Sequence, residues 1–216
     1  MSQNGLPSLL DRHWAESALA IGAVVIAAVS LWVAFDAQRT NRELVASQAW
    51  PFVEIYESDT PEEPRVMRLI IANDGIGPAK LESFELFWKG KPQRNPWELL
   101  TNCCTAAQKG SGQPGDYTAL QANPDLQTSS DEGVVVRAGE AIPFLMLTRG
   151  AGSTDLWDAF HSRLRGNVSL RYCFCSVFDE CWVATTQLFG RRPRNMNPPQ
   201  VRACPRPQVP YNNIGG

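Results

Sequence analysis

ALAIGAVVIAAVSLWVAF, Ala18 to Phe35, decides how the rest of the chain is read. These eighteen residues carry no charge. At 1.5 Å rise per residue they make a helix of roughly 27 Å, close to the hydrocarbon thickness of a bilayer. Trp14 and Trp32 stand near its ends, where aromatic rings favour the headgroup region. Asp11, Arg12 and His13 close one flank, and Asp36, Arg39 and Arg42 the other. A soluble domain seldom buries a helix that is apolar on every side at its N-terminal end. A signal peptide cut after Ser30, behind Ala28, is the alternative, but the apolar run continues beyond that point. The expected organisation is therefore a signal-anchor: a tail over 1–14, a transmembrane helix over 15–35 in the lipid bilayer, and a juxtamembrane helix over 36–49. Arginines on both flanks leave the orientation undecided by charge. Ala18/Gly22 and Ala23/Ala27 are spaced for close helix packing, a route to a homo-oligomer or a larger membrane complex. An alanine-rich anchor also produces such spacings by chance.

Past the anchor, Asp36 to Ala49 continues helical until Trp50-Pro51, where proline cannot extend the ladder. The period then changes. Phe52–Tyr56, Arg65–Ala72 and Lys80–Lys89 read as strands, as do Val134–Val136 and Ile142–Leu147 around the Ala138-Gly139-Glu140 turn. Val168–Val177 and Trp182–Leu188 read as a hairpin turning near Asp179-Glu180. Asn95–Cys104 predicts a short helix, with Asn95 as N-cap and Pro96 in the first turn. Ser153–Leu164 predicts a second, capped by Ser153 or Thr154. Lys109–Glu132 reads as a long surface loop. Gly190–Gly216 has six prolines, five arginines and no acid, and reads as a surface or disordered tail. The expected fold is mainly β: an antiparallel β-sandwich over 50–189 with one or two short helices, and a Pro/Arg-rich tail over 190–216.

Twenty Lys and Arg against 22 Asp and Glu give a net charge of −2, which excludes a general polyanion binder, nucleic acid included. The tail arginines, Arg191, Arg192, Arg194, Arg202 and Arg206, are a local exception that could touch anionic lipid or an acidic partner. All six cysteines, Cys103, Cys104, Cys173, Cys175, Cys181 and Cys204, follow the anchor. Six allow three bridges in any of 15 pairings. Cys173 and Cys175 share one face of a strand, and Cys181 lies across the hairpin, in bridging range if the register puts it opposite Cys175. Neighbouring cysteines seldom bond each other, so Cys103 and Cys104 are each expected to staple a separate partner. Cys204 could tie down the tail. Disulfides imply an oxidising compartment, which places the domain outside the cytoplasm.

Two motifs carry a resemblance. NDGIGPAKL (Asn73–Leu81), with AWPFVEI (Ala49–Ile55) as the entry, is similar to the strand-turn-strand signature of uncharacterised bacterial single-pass inner-membrane proteins. YCFCSVFDECW (Tyr172–Trp182) resembles their final hairpin. The resemblance implies an immunoglobulin-like domain in the periplasm, and no activity. Gly75 and Gly77 are expected to supply positive φ in the turn, and Pro78 to fix entry into the next strand.

For chemistry, the alternative to disulfides is a thiol-based metal or redox module of Cys173, Cys175, Cys181 and Cys104 (or Cys103), with His161 as a possible further ligand. The spacing C-x-C-x5-C is not a usual zinc pattern, and no C-x-x-C redox pair is present. No nucleophile elbow, phosphate loop, dinucleotide fingerprint or H-E-x-x-H helix occurs. Catalytic residues and cofactors are therefore expected to be none. The expected role is a membrane-anchored interaction module for a protein partner or envelope component.

Overall fold

The computed structural model describes residues 9–104, 117–129, 133–188 and 197–209. They fall into two units, Met1–Ser47 and Gln48–Gly216. The first unit is essentially one helix, α1 (Leu9–Gln48), unbroken for 40 residues. It contains neither glycine nor proline except Gly22, so nothing in its interior stops the ladder. Among its described side chains none is buried: Trp14 is 77% and Trp32 70% exposed. The stretch Glu16–Gln48 is long and apolar enough to cross a membrane.

The second unit begins with β1 (Val53–Thr60), β2 (Val66–Asn73), β3 (Ala79–Trp88), β4 (Lys91–Gln93) and α2 (Pro96–Cys104). After these come α3 (Thr118–Gln121), β5 (Leu126–Thr128), β6 (Val135–Val136) and β7 (Ala141–Thr148). The last elements are α4 (Thr154–Arg163), β8 (Val168–Cys175), β9 (Cys181–Gln187) and β10 (Gln200–Val201). Two antiparallel sheets result. One runs β1-β2-β7-β5; the other runs β10-β9-β8-β3-β4, with β6 also on β3. Leu69, Ile71 and Leu147 of the first sheet and Phe84, Leu86, Leu170 and Phe174 of the second belong to one buried core. Phe84 meets Phe144 edge-on, ring centroids 5.2 Å apart, and the Tyr172 hydroxyl donates to the Val53 carbonyl at 3.1 Å. Both contacts join the sheets.

Local chemistry sets the connections. Lys89 and Gly90, both at positive φ, link paired Trp88 and Lys91, the backbone that a two-residue hairpin requires. At α2, Asn95 Oδ1 accepts from Glu98 N at 2.8 Å, and the Glu98 carboxylate accepts from Arg94 N at 2.6 Å. At α4, by contrast, Ser153 precedes the helix without a side-chain cap bond. Its hydroxyl accepts from Gly150 N at 2.8 Å and lies 2.8 Å from Asp125 Oδ2, so it serves the preceding loop instead.

Two expectations need correction, and two others hold in an unexpected setting. The Val134–Val136 and Ile142–Leu147 strands form around their turn as expected, but in different sheets. β6 joins β3, β7 joins β2, and the chain changes sheets at the turn between them. Lys109–Glu132 is not all loop: Leu120 of α3 and Leu126 of β5 are buried, and β5 extends the first sheet beside β7. Residues 109–116 and 130–132 of that stretch lie outside the described residues. Gly75 and Gly77 are not among the positive-φ glycines. Their lack of a side chain matters because a Cβ on Gly75 would collide with the Trp50–Phe52 backbone, and one on Gly77 with Ala49. Asn73, wholly buried, holds this crossing together. Its Oδ1 accepts from Phe52 N and Gly75 N, and its Nδ2 donates to the carbonyls of Gly77 and Val136. That uses both donors and both lone pairs of the carboxamide.

The tail lies on the surface and is tied down by Cys204, as expected, but it is no loose end. Residues 197–209 are a strap across the outer face of the six-stranded sheet. Gln200 and Val201 pair with Trp182 and Cys181 of β9. Cys204 is bonded to Cys173 of β8, and Gln208 N donates to the Glu85 carboxylate of β3 at 2.6 Å. Proline-rich sequence cannot build a core, yet it can lie along one that already exists. The rest of the tail, 190–196 and 210–216, lies outside the described residues.

Candidate functional site

The end of β8 gathers most of the reactive chemistry. Tyr172 and Phe174 face the core, and Cys173 and Cys175 face outward, as the two-residue period of a strand demands. An outward face is normally half exposed. Here Cys173 is fully buried and Cys175 nearly so, because the strap covers them. Register pairs Cys175 directly with Cys181, and the two are bonded, Cα atoms 4.0 Å apart. Cys173 is bonded to Cys204 with Cα atoms 5.7 Å apart. The two bridges touch: Cys175 Sγ lies 3.6 Å from Cys204 Sγ. The sulfurs of Cys175, Cys181 and Cys204 all lie within 4.8 Å of one another. The β8–β9 turn is pinned by Ser176, whose hydroxyl accepts from Phe178 N at 3.1 Å and whose N–H donates to the Glu180 carbonyl. Beside this cluster, Lys80 stands opposite Cys175 on β3. A hydrogen bond to the Glu82 carboxylate, then its charge, raise the lysine pKa above the ordinary value.

Cys103 and Cys104 lie elsewhere. Both are buried in the main core at the end of α2, and they are bonded to each other. This corrects the expectation of separate partners: the other four cysteines are paired among themselves on the outer sheet face, so each of these two has its neighbour as its partner. Cys104 is thus not part of the sulfur cluster, and Cys204 takes the place the sequence reading gave it. His161 is not in the cluster either. Its ring stacks on Trp157 at 5.0 Å, and its Nε2 lies 3.6 Å from an Asp59 carboxylate oxygen. Cys204 ties down the tail as expected, but its partner was hard to place because 22 residues separate it from Cys181 and no pattern marks so long a gap. The available signal was a β-prone Gln200-Val201 pair just before it.

Near the vicinal pair, an open cleft of about 360 Å³ is lined by Trp88, Lys89, Asn102, Cys103, Arg163 and Asn167. Arg163 Nη1 donates to the Cys103 carbonyl at 2.8 Å, satisfying an orphan acceptor at the end of α2. Lys89 Nζ lies 5.3 Å from the Trp88 ring centre. The cationic groups of this cleft are thus already engaged within the fold.

A long apolar helix followed by two antiparallel sheets and three disulfides defines an N-terminally helical, cystine-bearing, sandwich-like protein. More particularly, the family model described as a domain of unknown function (DUF8453) matches residues 15–149, and the chain belongs to that family. The matched stretch takes in most of α1 and the chain through β7, including Cys103 and Cys104; the four clustered cysteines follow it. A comparison with curated proteins finds no match.

Proposed function

We propose that this protein is a single-pass membrane protein of the bacterial inner membrane. In this reading its second unit is a periplasmic, immunoglobulin-like module that binds a protein partner or envelope component without catalysis. The observation that carries it is the Glu16–Gln48 helix, apolar and with none of its span buried by the protein. Lipid is the solvent that satisfies such a surface. Three disulfides favour the oxidising side. The immunoglobulin-like assignment draws support from strand order: β1-β2-β7-β5 against β9-β8-β3 follows the ABED and GFC arrangement of that fold. Anchoring raises the effective concentration of the module for partners held in the same envelope.

The test uses the full chain with a C-terminal compartment reporter. The protein should resist alkaline extraction from membranes, and its C-terminal end should be cut by protease added to spheroplasts. A chain soluble without detergent would refute the anchor, and a protected C-terminal end would refute the orientation. Isolation in mild detergent then separates a free module from a subunit of a larger complex by what co-purifies.

A further inference from the structure

The geometry points to a second state of the outer cysteines: when reduced, Cys173, Cys175, Cys181 and Cys204 form a four-thiolate site for Zn²⁺. The inference is independent of the membrane reading, since it concerns the redox state of the cluster and not its location.

Three observations support it. First, the spacing fits. A tetrahedral zinc with bonds near 2.3 Å holds its sulfurs about 3.8 Å apart. Cys175 and Cys204 already stand at 3.6 Å unbonded, and three of the four sulfurs lie within 4.8 Å of one another. Opening the two S–S bonds lets each bonded pair relax toward the same spacing, with the Cys173 sulfur, which lies outside that group of three, turning in to complete it. Second, the ligands stay in place without the disulfides. Cys173, Cys175 and Cys181 are carried by the paired strands β8 and β9. Cys204 rides on a strap that is also held by the β10–β9 pairing and by Gln208 N–H to Glu85. Third, the strap and Lys80 offset the charge of a doubly negative zinc–thiolate unit, against Asp179 and Glu180 in the β8–β9 turn, of which Asp179 is exposed. The strap carries Arg202 and Arg206 on either side of Cys204 and has no acidic residue over 197–209. Cys173, Cys175 and Cys181 are buried under the strap, which limits competing water at three of the four ligands, and Cys204 is half-buried.

The chemistry balances with a phosphine or dithiol reductant. Each disulfide accepts two electrons and two protons and becomes two thiols, while the reductant is oxidised. Zinc then displaces the thiol protons without changing its own oxidation state, so affinity falls on acidification. The oxidised cluster is a latch for the strap, and the reduced cluster holds the same strap through the metal.

The test is a titration of the full-length protein in detergent, reduced with a phosphine under anaerobic conditions, using Co²⁺ as the spectroscopic probe. One Co²⁺ per chain is expected, with sulfur-to-cobalt charge transfer and the intense visible bands of tetrahedral four-thiolate coordination, displaced by Zn²⁺. The double substitution Cys103→Ala/Cys104→Ala should leave the spectrum and affinity unchanged. Cys204→Ser should lower affinity by more than the roughly 10–100-fold that losing a mere supporting residue costs. Far-UV circular dichroism of each reduced variant checks that the sheets persist. A folded, reduced wild-type chain that binds no Co²⁺, or binds it without thiolate bands, overturns the inference. So does a spectrum lost with Cys103 and Cys104 and kept without Cys204.

Discussion

Two stretches of this chain are apolar on every side, and they meet opposite fates. Ala18–Phe35 in α1 leaves nearly all of its side chains exposed, whereas Tyr172–Cys175 at the end of β8 exposes none. The strand is covered on one face by the facing sheet and on the other by the strap, so its alternation disappears. The helix finds no cover in its own unit, and in the proposed reading lipid supplies it. Apolarity in a sequence therefore says that a surface will be covered; it does not say by what.

That contrast can be broken from either side. Phe174→Ala should have the largest effect, since a wholly buried ring packed 5.7 Å from Trp182 is removed. A loss of about 3–5 kcal/mol in denaturant unfolding is expected, with membrane retention unchanged. Detachment from the membrane in this variant would show that the two units do not act separately. Val25→Arg is the reciprocal change. It should cost insertion about 2.5–3.5 kcal/mol and shift protein out of the carbonate-resistant fraction, without moving the unfolding midpoint of the second unit. An unaltered partition would argue against lipid as the cover.

The disulfides sharpen the comparison further. Cys173→Ala/Cys204→Ala opens a bridge across 31 residues and uncovers the outer face of β8. The expected cost is about 2–4 kcal/mol, with faster proteolysis of the strap. Cys103→Ala/Cys104→Ala removes a bridge between neighbours, which constrains almost no chain entropy, and should cost under about 1 kcal/mol. Equal costs would overturn the view that the strap bridge is the structural one.

The last effect is a matter of pH. Burial, and secondarily the Glu54 charge, raise the Tyr172 pKa in the folded state. An unfolded tyrosine ionises near pH 10. Above that value the unfolded chain binds fewer protons than the folded one, so stability falls with rising pH, by at most about 1.4 kcal/mol per unit. Below it the contribution is fully present. Tyr172→Phe should lose about 1 kcal/mol at neutral pH with its hydrogen bond to Val53. It should also show a shallower decline in unfolding midpoint from pH 9 to 11; identical slopes would remove Tyr172 as the cause.

How far these features were legible depends on the range over which their causes act. The continuous helix up to Trp50-Pro51, the Asn95 cap of α2 and the β8–β9 hairpin with its Cys175–Cys181 register are local: a few residues and one periodicity specify each. Ser153 misled because a hydroxyl that suits a helix cap also suits the Asp125–Gly150 loop, and only packing chose between them. Gly75 and Gly77 misled in a similar way. A glycine pair in a turn usually signals positive φ, but these accommodate the entry segment, a contact invisible along the chain.

By itself, the sequence determined an uncharged apolar span of bilayer length, a β-rich unit after it, and cysteines confined to that unit, because periodicity and composition act on neighbours. Only the tertiary structure decided that β6 and β7 part company, that the proline-rich tail lies on the sheet, and that Cys204, not Cys104, completes the sulfur cluster. Those outcomes depend on which surfaces remain uncovered once the sheets have met, and that is a property of the assembled fold.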